Sequence, residues 1–245
     1  MSNNSVTLLG YYGGDERHCL SAWQSTNIEL EDDFAGSLPD EIYKRIHWLF
    51  EQTVIQKKKS PEELLKFLAD HNHHTPFEKS VLDFQVCAEL ASHIHAIKHR
   101  VGLSINSESA RYKELKDKWY IPEDWKAIYV QDTRYLGLGD QRLTWADLLN
   151  EQTKLSHRAY HQALKELTPV LGRKRTKESA RYFLTYNKQL DFDMCFNFRS
   201  FMHFQELRNS EYAQDEIHWI ADEMLRLVRD IPGNPFDHSL SAFGY

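Results

Sequence analysis

Between Lys98 and Tyr112 the chain gathers Lys98, His99, Arg100 and Arg111 around small polar residues, among them Gly102, Ser104, Ser107 and Ser109. Arginine presents a planar fork of donors that suits phosphate and carbonyl oxygens. Serine hydroxyls and backbone amides beside Gly102 and Ala110 would complete an anion site. The same composition also fits a solvated turn, because cations suit the C-terminal end of a helix. Arg199, His203 and Leu207 stand at i, i+4 and i+8, on one helical face.

Two other chemistries are open to these residue types. Thirteen histidines is a high count. His95/His99 and His157/His161 each have the i, i+4 spacing that can chelate zinc. Neither pair has the His-Glu-x-x-His form and the spacing offers no third ligand, so both are read as surface pairs and no metal is assigned. Cys19, Cys87 and Cys195 lie far apart, forming neither a disulfide framework nor a zinc ribbon. None sits in a Pro-Cys context.

The elements that must position these residues alternate without regular βαβ spacing, which predicts an α+β fold. Val6 to Tyr12 reads as a strand closed by Gly13-Gly14, and Leu38 to Lys57 as a helix with Ile42, Ile46, Leu49 and Phe50 on one face. Ser60-Pro61-Glu62-Glu63 starts a helix running to about Ala69. Val81 to Val86 suggests a strand, followed by a helix from about Ala88 to His99. Further helices are expected over 145–167, 176–183, 199–207 and 213–228. Leu190 to Asn197 alternates with a clear period of two. With no repeat or linker, residues 1–245 read as one domain, an antiparallel or mixed sheet flanked by long helices.

Composition bounds the partners. A formal charge of −6 argues against nucleic acid, and no apolar run approaches the roughly 18 residues of a bilayer span. The opening residues lack a basic, then apolar, leader pattern. A soluble cytoplasmic protein is the expectation.

Order and spacing then point to a family. Lys98-His99-Arg100, Ser109-Ala110-Arg111-Tyr112, His73-His74-Thr75-Pro76-Phe77-Glu78, Asn197-Phe198-Arg199-Ser200 through Arg208, and Ala213-Gln214-Asp215-Glu216-Ile217 together resemble the motifs of flavin-dependent thymidylate synthases. The family signature is Arg-His-Arg, seven residues, then Ser. Here Lys98 replaces the first arginine. Eight residues separate Arg100 from Ser109, so the segment must bulge, and Gly102 is best able to allow it.

The resemblance implies that His73, Thr75, Glu78, Lys98, His99, Arg100, Asn197, Arg199 and His203 contact FAD. Ser109, Ala110, Arg111, Arg181 and Arg208 would hold dUMP, with His95 in place of a glutamine contact. Arg208, facing the uracil, and Ser109 are the catalytic candidates, Ser109 as a binding group rather than a nucleophile. It further implies C5 methylation of dUMP to dTMP with methylene-tetrahydrofolate and NADPH as co-substrates, in a homotetramer with shared sites. A related flavin enzyme with another outcome on dUMP, such as hydroxymethylation, and a histidine-based metal enzyme are the alternatives.

Overall fold

The computed structural model describes residues 4–25, 34–57 and 59–245; residues 1–3, the start of the stretch searched for a leader, lie outside it. Strand β1 spans Ser5–Tyr12, helix α1 Asp15–Trp23, α2 Phe34–Ser37, α3 Arg45–Val54 and α4 Pro61–Asp70. Strand β2 spans Val81–Glu89, α5 Leu90–Ala96 and β3 Leu103–Ser107. Then come α6 Trp145–Leu171, α7 Arg173–Ala180, β4 Gln189–Asn197, α8 Phe198–Arg208, α9 Asp215–Arg229 and α10 Asp237–Ala242. The strands form one antiparallel sheet in the order β1-β2-β4-β3, so the fold is α+β as expected.

Where the pattern is strong, the expected elements form. Leu190, Phe192, Met194 and Phe196 of β4 are buried while their neighbours are more exposed, the mark of a half-buried strand. Ser60 caps α4 through a reciprocal pair: Glu63 N–H donates to the Ser60 hydroxyl at 3.2 Å, and Ser60 N–H to the Glu63 carboxylate at 3.1 Å.

Several expectations are corrected. The helix read over 38–57 forms only from Arg45, after a 3-10 turn at Ile42–Lys44. Pro39 disfavours helix just before it, and Ile42 is exposed rather than part of an apolar stripe. The helix expected over 88–99 begins at Leu90, because β2 runs on to Glu89, whose carboxylate caps the helix at Ser92 N–H (3.1 Å). It ends at Ala96, so His95 and His99 do not share a helix. Helix α6 continues four residues beyond Leu167, past Pro169. Helix α7 begins at Arg173, and Arg181–Phe183 is 3-10. Helices α1, α2 and α10 and strand β3 were not foreseen. Strand β3 pairs antiparallel with β4: Glu108 N–H donates to Asp191 O and Asn197 N–H to Gly102 O, both at 2.9 Å.

The chain divides into two compact units. One comprises 1–5, 86–98 and 106–192; the other comprises 6–85, 99–105 and 193–245. In the first, Tyr160 and Leu164 of α6 pack with Ala180 of α7. The core of the second is aromatic. Phe198 stacks on Phe236 with centroids 5.3 Å apart, and the His18 ring lies 5.2 Å from both Phe77 and Phe198. His18 is fully buried, with Ser80 Oγ 2.5 Å from Nε2 and Ser239 Oγ 2.8 Å from Nδ1. Asp15, at the start of α1, accepts from the backbone N–H groups of His238 (2.8 Å) and Ser239 (2.9 Å). That satisfies two open donors of α10, which has no local cap. Among the described residues no helix is long and apolar enough to cross a membrane.

Candidate active site

In the unit of 6–85, 99–105 and 193–245, the site begins where β4 turns into α8. Asn197 ends the strand in an extended conformation and caps the helix, accepting from Ser200 N–H at 2.8 Å. On α8, Phe198, Phe201, Met202 and Phe204 are buried, leaving Arg199, His203 and Leu207 together on the open face, as the spacing predicted. Arg199 Nη1 lies 2.6 Å from Glu78 Oε1. Glu78 belongs to the 3-10 turn Thr75–Lys79, anchored by fully buried Phe77.

Arg208, in the last turn of α8, donates from Nε to His99 Nε2 at 2.9 Å. The His99 ring lies 4.9 Å from that of Phe204 and 6.1 Å from that of His203. Burial, then the charges of Arg208 and His203, lowers the His99 pKa to about 4. His99 is therefore neutral near pH 7 and can accept the arginine N–H.

Gly102 takes φ +63°, and a Cβ there would lie 2.2 Å from Ser200 Oγ and 2.3 Å from Asn197 Nδ2. The residue expected to allow the bulge is thus the one against which the β4–α8 junction closes. A cavity of about 620 Å3 opens beside these groups, lined by Arg199, Ser200 and His203 with Asn72, His74 and Tyr245. His74 rather than His73 lines it; the His73 ring instead lies 6.2 Å from that of Phe67. Thr75 and Arg100 are exposed. Asn72 and Tyr245 were missed. Asn72 has φ +57°, a conformation asparagine tolerates, so its place in His71-Asn72-His73 was the available signal. Tyr245 left none.

In the unit of 1–5, 86–98 and 106–192, Ser109 to Tyr112 forms a turn after β3. Tyr112 N–H donates to Ser109 O at 3.0 Å, and Arg111 N–H to Ser109 Oγ at 3.3 Å. Ala110 is buried and Arg111 half-exposed, its Nε 3.3 Å from Glu178 Oε1 on α7. Lys177 Nζ, on the same helix, donates to Tyr112 O at 2.9 Å. Helix α7 thus steadies the turn through two residues the sequence did not mark. Arg181 follows α7 in its 3-10 turn and is exposed, as is Lys98. His95, on α5, has a buried Nδ1 with no hydrogen-bond partner among the described residues.

The reading of His157/His161 as a surface pair is corrected. His157 is buried, and Asp117 Oδ1 lies 2.8 Å from both His157 Nδ1 and His161 Nε2. Cys19 and Cys87 are buried, and the three cysteines form no disulfide.

Comparison with known proteins gives this arrangement a family. The family model described as thymidylate synthase complementing protein matches residues 8–232. A flavin-dependent thymidylate synthase of Thermosipho africanus is 33% identical over 178 residues, covering 70% of this chain and 75% of the relative. One of Thermosipho melanesiensis is 32% identical over 175 residues, covering 70% and 74%. The crystal structure of a UMP/dUMP methylase, PolB, from Streptomyces cacaoi with 5-Br dUMP superposes with a TM-score of 0.64 at 25% identity, covering 99% of this chain and 95% of that one. The chain therefore belongs to the thymidylate synthase complementing protein family, that of the flavin-dependent thymidylate synthases.

Proposed function

We propose that this protein methylates dUMP at C5 to dTMP as a flavin-dependent thymidylate synthase. Methylene-tetrahydrofolate is the carbon donor and NADPH the reductant of FAD. The observation that carries the reading is Arg208, a family-motif arginine held by neutral His99 at 2.9 Å. An arginine so oriented supplies positive potential to the uracil carbonyls as charge develops on the ring, making C5 the nucleophile.

The residues beside the α8 cavity fit a flavin. Arg199 and His203 offer donors, while Met202, Val101 and Phe243 offer apolar surface. Glu78, through Arg199, and Asn197, through the helix cap, hold that face in place. His73, Thr75, Lys98, His99 and Arg100 complete the flavin group by resemblance. When bound, the flavin supplies the hydride. Ser109, Ala110 and Arg111, with Arg181, take the nucleotide phosphate and sugar, and His95 adds a polar contact. Residues 1–245 act as a single catalytic domain, assembled as a homotetramer in the cytoplasm.

Incubation with methylene-tetrahydrofolate, NADPH and either dUMP or UMP, followed by weighing the product, tests the reading. A gain of one methyl group on dUMP is expected, from a yellow protein whose flavin spectrum dUMP perturbs. A hydroxymethyl product, or none, would refute it. Methylation of UMP as well would widen the substrate class to that of the Streptomyces UMP/dUMP methylase.

A further inference from the structure

Asp117, His157 and His161 form a cluster that uses none of the flavin or nucleotide motifs. We propose that these three side chains bind one divalent zinc ion, clamping the segment after the Ser109–Tyr112 turn onto α6.

The geometry starts from the helix. His157 and His161 are one turn apart on α6, so both rings reach the same side of it. Asp117 brings a single carboxylate oxygen to both, and the three ligand atoms lie within 4.8 Å of one another. Two imidazole nitrogens and one carboxylate oxygen suit zinc, which commonly takes three protein ligands and a water. Zinc bonds of about 2.0–2.1 Å in a tetrahedron separate ligand atoms by about 3.3 Å. Asp117 Oδ1 now stands 2.8 Å from each ring nitrogen, so an ion needs the carboxylate to draw back by roughly 0.5 Å and the two nitrogens, within 4.8 Å of each other, to settle at the same spacing. Asp117 also lines a cavity of about 600 Å3 with Lys118, Trp119 and Asn150, which gives a water or the ion a way in.

The ligands are held before any ion arrives. Trp119 Nε1 donates to Asn150 Oδ1 at 3.0 Å, and Lys118 O accepts from Gln189 N–H at 3.1 Å, fixing the residues after Asp117. One turn above His157, the Tyr160 hydroxyl accepts from Leu115 N–H at 3.1 Å, fixing the residues before it. His157 itself is buried, and its Nε2 has no hydrogen-bond partner among the described residues. Zinc at Nδ1 leaves the ring proton on Nε2, the neutral tautomer that a metal-bound imidazole takes.

The test uses the full chain, stripped with chelator, dialysed, and titrated with zinc by calorimetry, with cobalt as a spectroscopic probe of the same site. One zinc per chain is expected, with a higher melting temperature and a visible cobalt absorption typical of four or five N/O ligands. His161→Gln and Asp117→Asn change half-exposed groups, so both variants should fold, as circular dichroism would verify. Each should weaken zinc binding by more than about tenfold and abolish the cobalt band. No saturable zinc binding tighter than about 100 μM in the parent chain overturns the proposal. So does binding that survives both substitutions, since the ion would then sit on other histidines. Neither result bears on dUMP methylation, which the product mass reads separately.

Discussion

Arg208 donates from Nε to Nε2 of His99 across 2.9 Å, joining residues 109 positions apart in the chain. The bond needs His99 as an acceptor, so the arginine's aim depends on a neutral imidazole. Replacing Arg208 with Lys keeps the charge but removes the fork and the Nε donor. We expect kcat/KM for dUMP to fall about 100-fold, close to 2.7 kcal/mol in transition-state stabilisation. His99→Gln, whose amide oxygen can still accept, should retain more activity than His99→Leu. Steady-state kinetics on the three variants checks this; equal losses for Gln and Leu would mean that His99 does not orient Arg208.

Acid sensitivity follows from two histidines kept neutral by burial. The pKa of His18 is lowered to about 3 and that of His99 to about 4, against about 6.5 for a free histidine. As pH falls, the unfolded chain takes up these protons first. Their contribution to stability is therefore complete above about pH 6.5 and is lost progressively as pH falls toward about 4 and below. The thermal midpoint should drop between about pH 7.5 and about pH 5; a flat profile would contradict the assignment.

Gly102 should not tolerate a side chain. Its φ of +63° and the contacts of 2.2 and 2.3 Å awaiting a Cβ fall on Ser200 and on Asn197, both engaged at the start of α8. Gly102→Ala is expected to cost about 1–3 kcal/mol and to weaken flavin retention. Denaturant midpoints and the flavin content of the purified variant are the measurements. Unchanged values in both would show that the junction can yield.

Arg111 is half-exposed, and its ion pair with Glu178 is of the kind that contributes about 1 kcal/mol or less. A nucleotide phosphate would compete with Glu178 for it. Arg111→Ala should raise KM for dUMP about tenfold, with the effect shrinking at high salt, while the melting temperature barely moves. Glu178→Gln should shift KM in the opposite direction. A melting temperature that collapses with Arg111→Ala would mark the arginine as structural.

The sequence alone determined most of what is periodic or local. The alternation from Leu190 to Asn197, the Ser60–Glu63 capping box and the shared face of Arg199 and His203 are properties of one strand or one helix, and neighbouring residues are enough to encode them. The motifs from His73 to Arg208 likewise carried the family, because their order and spacing survive translation into a linear chain.

Tertiary structure alone decided what depends on distant partners. Leu103 to Ser107 lies within a segment, Lys98 to Tyr112, that reads locally as a solvated turn, and becomes β3 because β4 offers backbone partners far along the chain. Asp15 caps a helix 223 residues away. His157 looks like one of a surface pair until burial hides it and Asp117 turns both rings to a common oxygen. Spacing shows which side chains share a helical face; only packing brings a third group to that face and sets the burial that makes His99 an acceptor for Arg208.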